Sequence, residues 1–251
     1  QVLGAVVSDA IQTWIIEQAA GNALFLEELV RTVAAGRGDE LFETVLAILH
    51  ARLMRLQPEA RLILRTASIF GETCWAGGVR RLLGQERAGE QLESWLQILV
   101  EAEILGRRKE SRFAGEVEYF FRHGLLREAA YGMLPEDERR LGHYLVGCYL
   151  EELGESDPTM LTEHFERSGD LKRAIVLHTR AAERCYENND LEGTLKRADK
   201  GLGCGAEGES RGALYSLKSA AWFWTNDLAN SSKPGSAALA LLPTGTVEWC
   251  R

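Results

Sequence analysis

The sequence predicts a mainly α-helical protein with one short β-hairpin. Three observations predict it. Apolar residues recur at i, i+3, i+4 and i+7 along most of the 251 residues. Only the stretch Gly106 to Arg122 reads as β structure. Beyond Pro135, short turn signals punctuate one helical segment after another.

The elements follow in order. Leu26, Leu29, Val30 and Val33 mark the apolar stripe of a first helical region, which Gly36-Arg37-Gly38-Asp39 interrupts, with Asp39 placed to cap the next helix. Gln57-Pro58-Glu59 opens another helix, with Pro58 in its first turn, where a missing N–H costs nothing. Ala60, Ile63, Leu64 and Ala67 form its buried stripe, and Leu92, Trp95, Leu96 and Leu99 form that of a later helix. The β stretch places Gly115 between two short runs and ends in Tyr119, Phe120 and Phe121, as two strands with a polar tip would. Helices followed by one hairpin, from Pro58 to about Arg122, give the outline of a winged-helix module.

After Pro135 the pattern becomes helical pairs. Gly169-Asp170-Leu171, Asn189-Asp190-Leu191 and Asn226-Asp227-Leu228 each precede a new helical segment. Ala174, Ala181, Ala182 and Ala198 allow close approach of helices. This is the pattern of a degenerate helical-hairpin array, similar to tetratricopeptide repeats. Its last stretch, SSKPGSAALALLPTGTVEWCR, reads as a repeat cut short and loosely held. Three segments are expected: 1–55 as a helical lid remnant, 56–134 as the winged helix, and 135–251 as the repeats.

Composition narrows the function. A hydrophobic fraction of 45% with 26% charged residues is that of a globular chain. No run approaches about 18 uninterrupted apolar residues, so no membrane span is expected. The chain opens on Gln1 inside a helical pattern, without a secretory leader, which points to a piece of a larger cytoplasmic protein. Cys74, Cys148, Cys185, Cys204 and Cys250 show no CxxC spacing and fit reduced thiols.

A winged helix raises DNA binding, but the net charge is −8 and the candidate groove helix carries Glu90, Glu93, Glu101 and Glu103. No Lys or Arg lies between Ala88 and Gly106, the opposite of what a phosphate backbone needs. Arg107, Arg108 and Lys109 at the hairpin read as a solvated basic cluster. No nucleic-acid partner is expected.

No catalytic constellation is visible. The chain has no GxxxxGK(S/T) phosphate loop, GxGxxG, GxSxG or HExxH. His164 and Glu166 give H-x-E without the P-C-x-x-C partner of zinc deaminases, and read as incidental residues of a surface helix. His178 shares an apolar face with Ala174, Ala181 and Cys185, where a packing role is expected. His50 and His143 have no partner legible in the sequence. No enzyme activity and no metal are expected of this chain. His123 is different: with Arg122 it stands where the aromatic run FF gives way to the amphipathic LLREAAY, at a strand-to-helix junction.

Several segments together resemble one family. GNALFLEELVRTV (Gly21 to Val33) is similar to the Gly-Asn-Pro-aromatic-Leu-Glu-Glu-Leu helix that follows the core of bacterial STAND-type ATPases. LQPEARLILRTASIFGETCW (Leu56 to Trp75) resembles the start of their winged helix. FRHGLLREAAY and HFERSGDLKRAIVLHTRAAERC (His164 to Cys185) resemble their helix-repeat arm. CGAEGESRGALYSLKSAAWFW and ALALLPTGTVEWCR are similar to repeats in large bacterial serine/threonine kinases that carry such a module.

The resemblance implies that ATP or ADP lies between a phosphate-loop domain and the lid plus winged helix. Gly21 and Asn22 would then belong to the nucleotide-sensing set. Ala23 stands where the family commonly has a proline packed near the adenine. Arg122-His123-Gly124-Leu125-Leu126 matches the Met-His-Asp-Leu-Leu motif of related eukaryotic receptors at the histidine and both leucines, with Gly124 in place of the aspartate. In that motif the histidine touches the ADP β-phosphate. His123, Arg122, Gly21 and Asn22 are therefore the expected nucleotide-sensing residues.

The expected job is that of a non-catalytic regulatory region. It would hold no cofactor by itself. Its repeats would bind a protein or peptide effector, and its winged helix would meet an upstream ATPase domain of the same chain. The alternative is a freestanding helical-repeat adaptor with no nucleotide role.

Overall fold

The computed structural model describes residues 49–84 and 91–250, which fall into two compact units dividing between Glu136 and Asp137. The expected helices at 1–48, with Gly21, Asn22 and Asp39, lie outside the described residues, as does Glu90. The described chain is mainly helical with one small antiparallel sheet. No helix among the described residues is long and apolar enough to cross a membrane.

The described residues of the first unit give a helical turn over 49–53, then α1 (Pro58–Ser68), β1 (Thr73–Trp75), α2 (Ala76–Leu83), α3 (Leu92–Glu101), β2 (Leu105–Arg107), β3 (Glu118–Phe121) and α4 (Gly124–Gly132). Pro58 opens α1, and the expected stripe Ala60, Ile63, Leu64 and Ala67 is buried. α3 buries Leu92, Leu96 and Leu99, with Trp95 half-buried. α1 is the centre, packed against α2, α3, α4 and β1. Each leucine fully withdrawn from water there contributes roughly 1.5–3 kcal/mol.

The expected hairpin is present as β2 and β3, with Gly115 at its tip in the left-handed region (φ 83°). A third strand joins it. β1 pairs antiparallel with the other edge of β3, so the sheet order is β1-β3-β2. With only Thr73, Cys74 and Trp75, β1 is too short to show an alternating pattern. It is held by its register, Cys74 opposite Tyr119, and by Trp75, whose ring lies 4.9 Å from that of Phe113. Gly106 faces Phe120 across the hairpin, and a Cβ there would run into the Phe120 ring. Glu116 reaches back from the hairpin to accept the backbone N–H of Gly77, satisfying the first turn of α2.

The second unit holds α5 (Glu136–Glu152), α6 (Pro158–Ser168), α7 (Leu171–Glu187), α8 (Leu191–Gly203), α9 (Gly208–Trp224), α10 (Leu228–Leu241) and α11 (Val247–Cys250). From α6 to α10 each helix packs on its successor, and α7 also touches α9. The turn signals work as expected. Asp170, Asp190 and Asp227 are N-caps whose carboxylates accept from the N–H groups of Arg173, Gly193 and Asn230. The preceding Gly169, Asn189 and Asn226 all take positive φ, closing one helix before the next begins. Ala174, Ala181, Ala182 and Ala198 are buried, with Ala182 and Ala198 sharing a core with Leu214 and Leu217. In the last stretch α10 packs on α9, where Ser231 and Ser219 exchange hydrogen bonds.

Candidate functional site

The candidate site is the junction between β3 and α4. β3 ends at Phe121, Arg122 donates its backbone N–H to Ile104 O, and His123 is the N-cap of α4 in extended geometry (φ −138°, ψ 131°). Its carbonyl accepts from Leu126 and Arg127, so the backbone is used for helix initiation. Its side chain caps nothing, and the first turn of α4 carries no acidic residue. The N-terminal end of α4 thus keeps the partial positive charge of a helix start uncancelled.

Among the described residues the His123 ring has no hydrogen-bond partner, and donates to no backbone carbonyl. It is half-buried, and its pKa is lowered by that burial first, then by Arg122 and Arg52, against a raising contribution from Glu103. The imidazole is therefore held neutral at ordinary pH, with one N–H to give. Arg122 is exposed and only loosely paired, its Nη1 lying 4.0 Å from Glu103. Arg52, from the turn at 49–53, is exposed and has no ion pair among the described residues.

An N–H donor, the Arg122 guanidinium and a helix start lie at one corner, and Arg52 is near enough to act on the His123 charge. Their chemistry suits an anion with several oxygens, a phosphate above all. Arg127 is not part of this set. Its Nε donates to Ser68 O and its guanidinium stacks on Tyr131, so it ties α4 to the end of α1.

The structure brings together the expected Arg122 and His123; Gly21 and Asn22 lie outside the described residues. Arg52 was not legible as a neighbour, because nothing local to its sequence points toward a residue so distant in the chain. The basic cluster at the hairpin is partly committed to structure. Arg108 Nε lies 2.7 Å from Glu118 Oε1, whose other oxygen accepts the Arg112 N–H, and its guanidinium covers Phe120.

Two sequence expectations change in the second unit. His164 and Glu166 do not belong to an incidental surface. His164 is buried, with Nδ1 2.9 Å from His143 Nδ1, so His143 has a partner from the next helix. His178 is buried on the expected face of α7 and satisfied there, its Nε2 lying 2.6 Å from Glu166 Oε1. Comparison with family models, curated proteins and solved structures finds no match for this chain.

Proposed function

We propose that this chain is the regulatory portion of a STAND-type ATP-binding signalling protein, of the kind joined to bacterial serine/threonine kinases. In this reading residues 56–134 are a winged helix and residues 135–251 are TPR-like repeats that bind a protein or peptide effector. The winged helix passes the nucleotide state, ADP or ATP, to the repeats. The nucleotide is held mainly by an upstream phosphate-loop domain, and this cytoplasmic chain catalyses nothing itself.

The observation that carries the proposal is the His123 ring, neutral and unpartnered beside Arg122 and Arg52 at the start of α4. Two features of the fold support it. Among the described residues, the order α1-β1-α2-α3-β2-β3 with sheet order β1-β3-β2 is compatible with a winged helix. Helices α6, α8 and α10 begin at Pro158, Leu191 and Leu228, close to the roughly 34-residue period of tetratricopeptide repeats.

The test is His123→Ala in the parent protein. A hydrogen bond to a charged group is worth about 1.5–3 kcal/mol. Its loss should speed ADP release and raise basal signalling roughly ten- to a hundredfold, since each ~1.4 kcal/mol is a factor of ten. The isolated chain should keep its helicity. A destabilised chain with unchanged ADP release would retire the sensor role.

A second reading, the repeat adaptor without nucleotide, is favoured by a cleft of about 430 Å³ lined by Asp157, Thr159, Arg184, Cys185, Asn188 and Arg197. The reading frame upstream of Gln1 separates the two. A phosphate loop there supports the switch, and a nearby start codon supports the adaptor.

A further inference from the structure

We infer that Glu166, His178 and Cys204 form a binding site for a transition-metal dication of the zinc class. The residues come from three successive helices: Glu166 near the end of α6, His178 in the middle of α7, and Cys204 capping the end of α8. Their ligand atoms all lie within 4.8 Å of one another. Glu166 Oε1 is the hub, 2.6 Å from His178 Nε2 and 3.7 Å from Cys204 Sγ.

Two of the three spans lie close to what a metal needs, and the third is within 4.8 Å. Zinc bonds of about 2.0–2.2 Å to nitrogen and oxygen and about 2.3 Å to sulfur put tetrahedral ligands roughly 3.3–3.8 Å apart. The sulfur-to-oxygen separation is already in that range. The oxygen-to-nitrogen separation has to open by less than about 1 Å by the same geometry. Glu166 can supply this, because its side chain is 33% exposed while that of His178 is fully buried. The deep imidazole would anchor the ion, with the more exposed carboxylate on the solvent side.

The charges and protons also balance. A thiolate, a carboxylate and a neutral imidazole cancel the charge of a dication, and mixed sulfur, nitrogen and oxygen donors suit zinc and cobalt rather than calcium or magnesium. Here Nε2–H donates to Glu166. Metal binding moves that proton to Nδ1, which has no partner here, and exchanges the Nε2–H bond to Glu166 for bonds from both atoms to the ion. The Cys204 S–H bond is exchanged for a sulfur–metal bond, and one proton leaves to water. Because the thiol has to lose its proton to bind, affinity should strengthen as pH rises.

Cobalt(II) added to the reduced 251-residue chain tests this directly. One equivalent should produce a thiolate-to-cobalt charge-transfer band, zinc should bleach it, and zinc should raise the melting temperature. Cys204→Ser should abolish the band, while Cys148→Ser and Cys185→Ser should keep it. Glu166→Gln retains a hydrogen bond to His178 but removes an anionic ligand. It should weaken binding by more than roughly tenfold, the lower end of what even an outer-sphere change costs. Absence of the band, or a band untouched by both Cys204→Ser and Glu166→Gln, would overturn the assignment.

Discussion

His143 and His164 meet inside the second unit with Nδ1 atoms 2.9 Å apart, both rings almost wholly buried. One ring nitrogen has to donate and the other accept, so each histidine fixes the tautomer of its partner. Replacing one leaves a buried polar nitrogen short of this bond, at a cost of about 1–3 kcal/mol. His143→Leu and His164→Leu should each destabilise the chain in urea melts. The double variant should lose less than the sum of the two, and strict additivity would show that the pair is not coupled.

His178 sets a pH dependence. Unfolded, its ring titrates at the ordinary value of 6.5, whereas burial holds it lower in the fold. The unfolded chain therefore takes up the proton first as pH falls. The stability is complete above about pH 6.5 and is lost progressively below it. His123, lowered by burial and then by Arg122 and Arg52, acts in the same direction in the first unit. Urea midpoints measured down from neutral pH should fall on this limb, and His178→Gln should flatten part of it. A midpoint that rises on acidification would mean that the Glu166 contact holds a charged imidazolium.

Gly147 lies on α5 against Phe165, a fully buried ring, and a Cβ there would sit 2.8 Å from Phe165 Cζ. Elsewhere in a helix Gly→Ala is favourable by up to about 1 kcal/mol. At this position the overlap should reverse the sign, with Gly147→Ala costing about 1–3 kcal/mol. Thermal melting gives the answer, and a stabilised variant would show that α5 can move away from α6 at no expense.

Asp190 caps α8 by accepting the Gly193 N–H at 2.8 Å. Asp190→Ala should cost about 0.5–2 kcal/mol, while Asp190→Asn, which can still accept, should be nearly neutral. Equal losses from both would shift the explanation from the hydrogen bond to the charge.

Duplex DNA should not bind. Exposed Glu93 on α3 pairs with Arg80, exposed Glu101 accepts from Gln97, and Arg108 in the hairpin is engaged by Glu118. Fluorescence titration at low salt is the most permissive measurement. Tight binding that weakens steeply with salt would contradict this, and Arg107→Glu should then diminish it.

The sequence by itself determined the features whose physics is local. The stripe Ala60, Ile63, Leu64 and Ala67 needs only the helical period to declare a buried face, and the Asp-Leu steps at 170, 190 and 227 need only the next three residues to cap a helix. The Gly115 hairpin tip was legible for the same reason. Tertiary structure decided whatever depends on partners distant in the chain. β1 exists because β3, more than forty residues later, supplies its hydrogen bonds. The companions of His143, His178 and His123 come from other elements, namely His164, Glu166 with Cys204, and Arg52. A buried polar group takes its meaning from what the fold sets against it, and spacing along one helix carries no record of that.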